Sequence, residues 1–320
     1  MDISVAGKIN VNSEAFKIRK KNFADDILFY APGLKKYDIP GFSQKNPRAF
    51  LPISLTGSAC ALNCDHCDKK ILEPMIPIDS KNGLFSMCEN LAKTGTESVL
   101  ISGGSMKNGQ VPFLKHIDDI KRIKDDLGLK VVMHTGLVDE EMVEGLNYAG
   151  IDGVALDIIG AQETIEQVYH MNCTVHDFDR SLALLTDYGI SIRPHIILGL
   201  HYGKFLGEYD ALEMIAKYPI HALIVVIFMP IQGTEMQNVI PPDTNEVEQF
   251  LIDSRLKMPE TKILLGCARP GGEYKKIVDK AAVDAGLNGI AYPAEGIIEH
   301  ARELGLYPSF YENSCSCGVD

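Results

Sequence analysis

The residues of this chain best suited to chemistry are three cysteines in the stretch SLTGSACALNCDHCDKK, spaced Cys60-x3-Cys64-x2-Cys67. A loop that short can wrap three thiolates around one metal centre. A structural zinc wants a closed set of four ligands, and a 4Fe-4S cubane is usually held by four thiolates. Three thiolates on a cubane leave one iron without a protein ligand and open to a small molecule. His66 is the candidate fourth ligand for zinc, but it sits between Cys64 and Cys67, and such neighbours seldom reach one ion together. A disulfide among the three does not suit a reducing compartment.

A second set of thiols follows, with Cys267 in LLGCARPGG and Cys315 and Cys317 in the C-terminal Cys-Ser-Cys. A tail that returns to Cys267 brings these three to one auxiliary cluster. The competing reading is a packed Cys267 and an incidental tail. Cys88 shares a helical face with Leu84 and Leu91 and reads as core. Cys173 has no partner nearby in sequence and reads as structural.

Such groups need a scaffold, and from residue 51 onward the chain repeats one phrase: a short apolar run, a loop, an amphipathic helix, then glycine. The pattern predicts eight strands, at 51–56, 98–102, 130–134, 153–158, 191–198, 222–228, 262–267 and 289–292. Between them, Phe113, Ile117, Ile120 and Leu127 mark one helical face, and Phe178, Leu182 and Leu185 another. Glycines such as Gly128 and Gly150 fall where a left-handed C-cap is needed. Strand then helix, eight times over, predicts an α/β fold of (β/α)8 TIM-barrel type, full or partial. Residues 1–50 stand outside this cadence as an N-terminal extension packed on the barrel, 51–306 form the barrel, and 307–320 form a short Cys-containing tail.

At 320 residues, 46% of them hydrophobic, the chain can close one large core, above the roughly 250 residues of a single barrel. A net charge of -12 argues against nucleic acid or an anionic membrane as partner, since both need a basic face. The opening MDISVAGKINVNSEAFKIRKK has no apolar signal core, and no run approaches the ~18 apolar residues of a membrane span. The expected location is the cytoplasm, where clustered cysteines serve metal or redox chemistry rather than disulfides.

Cys60, Cys64, His66 and Cys67 together resemble the C-x3-C-x2-C signature of the radical SAM superfamily, which has an aromatic-type residue before the last cysteine. The resemblance implies a 4Fe-4S cluster whose fourth iron chelates S-adenosylmethionine and cleaves it to a 5′-deoxyadenosyl radical that takes hydrogen from unactivated carbon. It also implies that Gly103 and Gly104, after the second strand, lie against the methionine amino group, with Ser105 standing where the family often has an acidic residue. Asp157 is placed to accept from the ribose hydroxyls, and Arg193 to pair with the methionine carboxylate. A rim ion pair is the competing reading for Asp157 and Arg193, and His134 at the end of the third strand reads as a satisfied rim histidine ahead of a cofactor contact.

The phrases FYAPGLKKY, SGGSMKNGQVP and GCARPGGEYKK resemble the biotin synthase and lipoyl synthase branch, most of all subunits of two-component lipoyl synthases. No cysteine precedes Cys60 and no Arg-Ser-Ser-Tyr ending occurs, unlike single-chain lipoyl synthases. This second resemblance implies sulfur insertion into an octanoyl chain on a lysine of a lipoyl-domain carrier protein. The sulfur would come from an auxiliary 4Fe-4S cluster on Cys267, Cys315 and Cys317. The implied partners are a paralogous radical SAM subunit and a ferredoxin or flavodoxin reductant. The alternatives are a biotin-synthase-like or other reaction on a small molecule, with Arg269 as cluster ligand or substrate clamp, and a noncatalytic iron-sulfur protein.

Overall fold

The computed structural model describes residues 14–33, 36–78 and 83–314. The strands in chain order are β1 Asp26–Tyr30, β2 Asp38–Ile39, β3 Phe42–Ser43, β4 Phe50–Ser54, β5 Ile76–Pro77, β6 Ser98–Ser102, β7 Lys130–His134, β8 Gly153–Asp157, β9 Ile192–Leu198, β10 Ala222–Ile227, β11 Lys262–Leu265, β12 Gly289–Ala291 and β13 Tyr307–Tyr311. The helices are α1 Glu14–Asn22, α2 Gly83–Lys93, α3 Ile117–Leu127, α4 Glu140–Ala149, α5 Gln162–Thr164, α6 Val175–Asp187, α7 Glu208–Ile215, α8 Thr244–Lys257, α9 Gly272–Asp284 and α10 Ile297–Glu303.

All eight predicted strands form, as β4 and β6 to β12, and they join a single eleven-stranded sheet in the order β13-β1-β12-β11-β10-β9-β8-β7-β6-β4-β5. Every pairing in it is parallel. The two outermost strands, β5 and β13, are not paired to each other among the described residues, so the fold is a partial barrel. Both segments expected outside the barrel contribute a strand. Leu28 of β1 lies in register with Gly289 of β12 and with Ser309 of β13, so 26–30 and 307–311 extend the sheet. Pro308 hides β13 from a pattern search, because proline cannot donate to a ladder and is confined to edge strands. An edge strand is what β13 is.

The alternation of strand side chains sorts two faces. Ile53, Ile101, Met133 and Leu156 belong to one continuous apolar core with Leu84, Ile120, Leu146 and Leu182 of the helices. Cys88 lies in that core between Leu84 and Leu91, and burial pushes its thiol up to about 12. Phe50, Val132 and Ala155, with Leu100 against them, form a separate small cluster of opposite parity. This is the inner floor of the barrel, and the residues two positions further along each strand stand above it at the mouth.

The later strands are fastened by a buried ion pair. Arg269 Nε donates to Asp279 at 2.6 Å with neither side chain exposed. The same guanidinium donates to the carbonyls of Gly266, Ala291 and Tyr292, so it joins the ends of β11 and β12 to α9. Replacing one partner of such a pair leaves the other charge buried without compensation. Asp279→Ala is expected to lower the unfolding free energy by about 3–5 kcal/mol, measured by urea denaturation. A loss below about 1 kcal/mol, the scale of an exposed pair, contradicts this account.

Candidate active site

The loop after β4 carries the cysteines across the mouth of the barrel. Cys60, Cys64 and Cys67 line one cavity of about 330 Å3 together with His66, Lys69, Ser102, Gly103, Gly104, Ser105, His134, Asp157 and Tyr169. That volume lies within the range of about 300–1,000 Å3 that small-molecule sites occupy. The remaining wall is largely apolar, with Leu62, Leu72, Met75, Val111, Leu137 and Met171 among it. Lys69 is the one lysine or arginine on the wall among the described residues.

The loop sits against the turn after β6. The Thr56 hydroxyl donates to the Ala59 carbonyl at 2.8 Å and accepts from the Gly104 amide at 2.7 Å. Ala61 N donates to the Ser105 carbonyl at 2.9 Å, and Cys60 Sγ lies 3.7 Å from the same oxygen. Ser105 therefore holds the loop through its backbone. A Cβ on Gly104 would stand 1.9 Å from the Ala59 carbonyl oxygen and 2.6 Å from Cys60 Cα. No side chain fits there, which is the physical content of the Gly-Gly pair in the sequence.

Cys64, His66 and Cys67 each offer a ligand atom within 4.8 Å of the others, so His66 comes closer to the thiols than its place in the sequence suggests. The interaction of the two thiols, with His66 beside them, holds Cys67 below the usual thiol range, while Cys64 is pushed up. The His66 ring packs on Tyr169, centroids 5.0 Å apart. His66 Nδ1 and the Tyr169 hydroxyl are buried without a hydrogen-bond partner. Tyr169 ends a π-turn, Ile165–Tyr169, that continues α5. Sequence periodicity has no signature for such a turn, which is why Tyr169 escapes a reading of the sequence, although π-turns are frequent at functional sites.

Polar groups gather at the strand ends. His134 Nε2 and the Asp157 carboxylate lie 3.7 Å apart, and Asp157 is in register with His195. Burial opposes both charges, but their attraction wins: His134 is raised above the ordinary imidazole value and Asp157 is lowered, with His195 assisting. Burial takes His195 itself down to about 4.

Other expectations are redirected. Arg193 is in register with Ala155, at floor level, and its guanidinium donates to the Asp152 carbonyl at 3.1 Å in the space left by Gly153. It does not reach the cysteine cavity. The cause is parity and height: Arg193 points inward two residues too early on β9. Arg269 is engaged by Asp279 and three carbonyls, so it is a structural cross-link and neither cluster ligand nor substrate clamp. Cys267 is exposed just past β11 and lies off the cavity wall. Cys315 and Cys317 lie outside the described residues. Cys173 is half-buried, its thiol pushed up to about 11 by burial and by Asp177.

A parallel partial barrel with three cysteines on the loop after its first inner strand, packed against a glycine turn at the wall of a small-molecule cavity, defines a cluster-binding α/β enzyme fold. Residues 54–229, more than half of the chain, match the Radical SAM superfamily model, and the chain belongs to that superfamily. It is 26% identical to biotin synthase 2 of Corynebacterium diphtheriae over 68% of this chain and 67% of that one. It is 22% identical to biotin synthase of Leptothrix cholodnii over 83% of this chain and 77% of that one. The fold is similar to a crystal structure of methylornithine synthase, with a TM-score of 0.59, 13% identity, and 94% and 89% of the two chains covered.

The family's cofactors are a 4Fe-4S cluster and S-adenosylmethionine, and the site fits them. Three thiols share one cavity, the glycine turn clears its side, and His66 Nδ1 and the Tyr169 hydroxyl are buried polar atoms awaiting a partner. Cys60, Cys64 and Cys67 would hold the cluster, and Gly103, Gly104 and Asp157, which line the same cavity, would stand beside S-adenosylmethionine. When bound, the pair supplies one-electron cleavage of the sulfonium to a radical that takes hydrogen from unactivated carbon. The apolar walls would keep water from that chemistry, and the Asp157 carboxylate, kept ionised by His134, would present an acceptor to ligand hydroxyls.

Two outcomes follow from this geometry. Gly104→Ala should displace the Cys60 backbone and weaken iron retention by about 10-fold or more, with far-UV circular dichroism unchanged; iron content equal to wild type contradicts the close approach. In histidine NMR titrations, His134 should titrate above its ordinary value of about 6.5, and Asp157→Asn should bring it back down. The stabilisation from the pair is full below pH ~6.5 and fades as pH rises through the raised His134 value. On the acid side it holds above pH ~3.9 and goes when Asp157, held low, protonates. An unchanged His134 titration in the variant removes the pairing.

Proposed function

We propose that this protein is a radical SAM sulfurtransferase that inserts sulfur at an unactivated carbon of a largely aliphatic substrate, in the manner of its biotin synthase relatives. The observation that carries the reading is the cavity itself. The cluster cysteines line it together with Leu62, Leu72, Met75, Val111, Leu137 and Met171, and Lys69 is the single lysine or arginine among the described residues. Such a wall favours C–H bonds over charged groups, and it excludes water from a radical. The names of the relatives support sulfur insertion.

A second reading is an octanoyl chain carried on a lipoyl-domain protein, with this chain as one component of a two-subunit lipoyl synthase. The same apolar wall favours it, since an acyl chain in amide linkage brings no charge to the cavity. In that reading a paralogous radical SAM subunit completes the second insertion and a ferredoxin or flavodoxin delivers the electron. Both readings need a sulfide donor, for which Cys267, Cys315 and Cys317 are the candidates. β13 supports this assignment: it runs parallel to β1, so the chain leaves it at the same end of the sheet where Cys267 follows β11.

The test is iron and sulfide per chain after anaerobic reconstitution, followed by turnover on two substrates. About eight irons are expected in wild type, and about four when either Cys60, Cys64 and Cys67 or Cys267, Cys315 and Cys317 are changed to alanine. About four in wild type, unchanged in the tail variant, sinks the sulfide donor. Sulfur appearing in the sulfur-free precursor of biotin supports the first reading, and sulfur appearing in an octanoyl-lysyl carrier domain supports the second. 5′-Deoxyadenosine formed with neither substrate sulfurated overturns both.

A further inference from the structure

Between the second and third cluster cysteines stands a carboxylate that the mechanism above does not use. Asp65 is held by three separate parts of the barrel. Its Oδ1 lies 2.7 Å from His170 Nε2, and its Oδ2 accepts from the Tyr202 hydroxyl at 2.5 Å. Its amide donates to the Val168 carbonyl at 2.9 Å, and its carbonyl accepts from the Met236 amide at 3.3 Å. His170 Nδ1 in turn lies 3.1 Å from the Glu166 carbonyl, and the Cys64 thiol meets the Tyr169 carbonyl at 3.6 Å. The loop that leaves β4 is thus tied to the connections after β8, β9 and β10, on the flank opposite the Gly104 turn.

Backbone strain marks the same place. Non-glycine residues rarely take positive φ, and such conformations persist where the surroundings over-determine them, often at functional sites. Among the described residues six non-glycine residues do so: Asn63, Asp68, Lys69, His170, Tyr202 and Tyr292. The first three lie in the cysteine loop, and His170 (φ 56°) and Tyr202 (φ 50°) are the two side chains that grip Asp65. A contact needed only to stabilise the barrel does not call for two strained partners, reaching from 105 and 137 residues away, to meet one carboxylate at the centre of a cluster motif.

We propose that Asp65, His170 and Tyr202 form a clasp of positioning residues that fixes the Cys60–Cys67 loop and so sets how tightly the cluster is retained. The proposal rests on membership of the radical SAM superfamily and on the loop, not on which substrate is sulfurated, so it stands or falls separately from the sulfur-insertion reading. Groups that orient metal ligands from outside typically change metal affinity by about 10–100-fold when removed.

The experiment uses anaerobically reconstituted full-length protein and reads the rate at which cluster absorbance bleaches under excess chelator, with the melting temperature measured in parallel. Asp65→Ala is expected to bleach about 10–100-fold faster, and Tyr202→Phe and His170→Asn each several-fold faster, all with melting temperatures near wild type. Asp65→Asn, which keeps one acceptor, is expected to fall between wild type and Asp65→Ala. Adding Tyr202→Phe to Asp65→Ala should add much less than Tyr202→Phe costs alone, because the hydroxyl's short bond is to that carboxylate and only its 3.3 Å approach to the Gln167 carbonyl is left. Wild-type bleaching in Tyr202→Phe and His170→Asn overturns the proposal, as does acceleration that only tracks lost melting temperature, or full additivity of the double variant. Tyr202→Phe removes a single hydroxyl, so the question remains answerable if Asp65→Ala does not fold.

Discussion

How closely two loops approach one another at the barrel mouth decides whether this protein has a site. The loop after β4 and the turn after β6 come from paired strands, Ser54 in register with Ser102, so both leave the sheet at the same height. Thr56 then links them through one hydroxyl, and Gly104 lets the backbone of Ala59 and Cys60 close on the turn without a side chain between. Had position 104 carried a Cβ, Cys60 would be driven away from Cys64 and Cys67, and three thiols would no longer face one cavity. The parallel sheet supplies the height, and the glycine supplies the contact.

The rest of the mouth is arranged around that contact by strand parity. On β6, β7 and β8 the inward positions run from an apolar floor of Leu100, Val132 and Ala155 to a polar rim of Ser102, His134 and Asp157. Two residues of rise separate the dry layer from the layer that can meet a ligand. The same rise explains why Arg193 and His195, both inward on β9, have different fates. Arg193 is level with Ala155 and is absorbed by the Asp152 carbonyl, while His195 is level with Asp157 and joins the rim.

Charge in this acidic chain is therefore placed unevenly. Two buried guanidinium groups, Arg193 and Arg269, donate to backbone carbonyls, and Arg269 also pairs with Asp279. The cavity is left with thiols, imidazoles, one carboxylate and Lys69 against an apolar wall. That balance suits chemistry on unactivated carbon, where a charged wall would bind water in place of substrate.

By itself the sequence determined what is local. The Cys60-x3-Cys64-x2-Cys67 spacing, the Gly103-Gly104 pair and the strand and helix periodicities are written within a few residues of one another, and the superfamily, the parallel α/β fold and the cysteine cavity all follow from them. Tertiary structure decided what depends on partners far along the chain. β1 and β13 became strands because each could pair with the other, and proline and an early position conceal this from a local pattern. Arg193 and Arg269 suit ligands by residue type, but their direction depends on carbonyls and a carboxylate supplied by other elements. Tyr169 and the grip on Asp65 come from a π-turn and a loop more than a hundred residues beyond the cysteines. Spacing reports which groups share a loop; only packing reports which loops share a site.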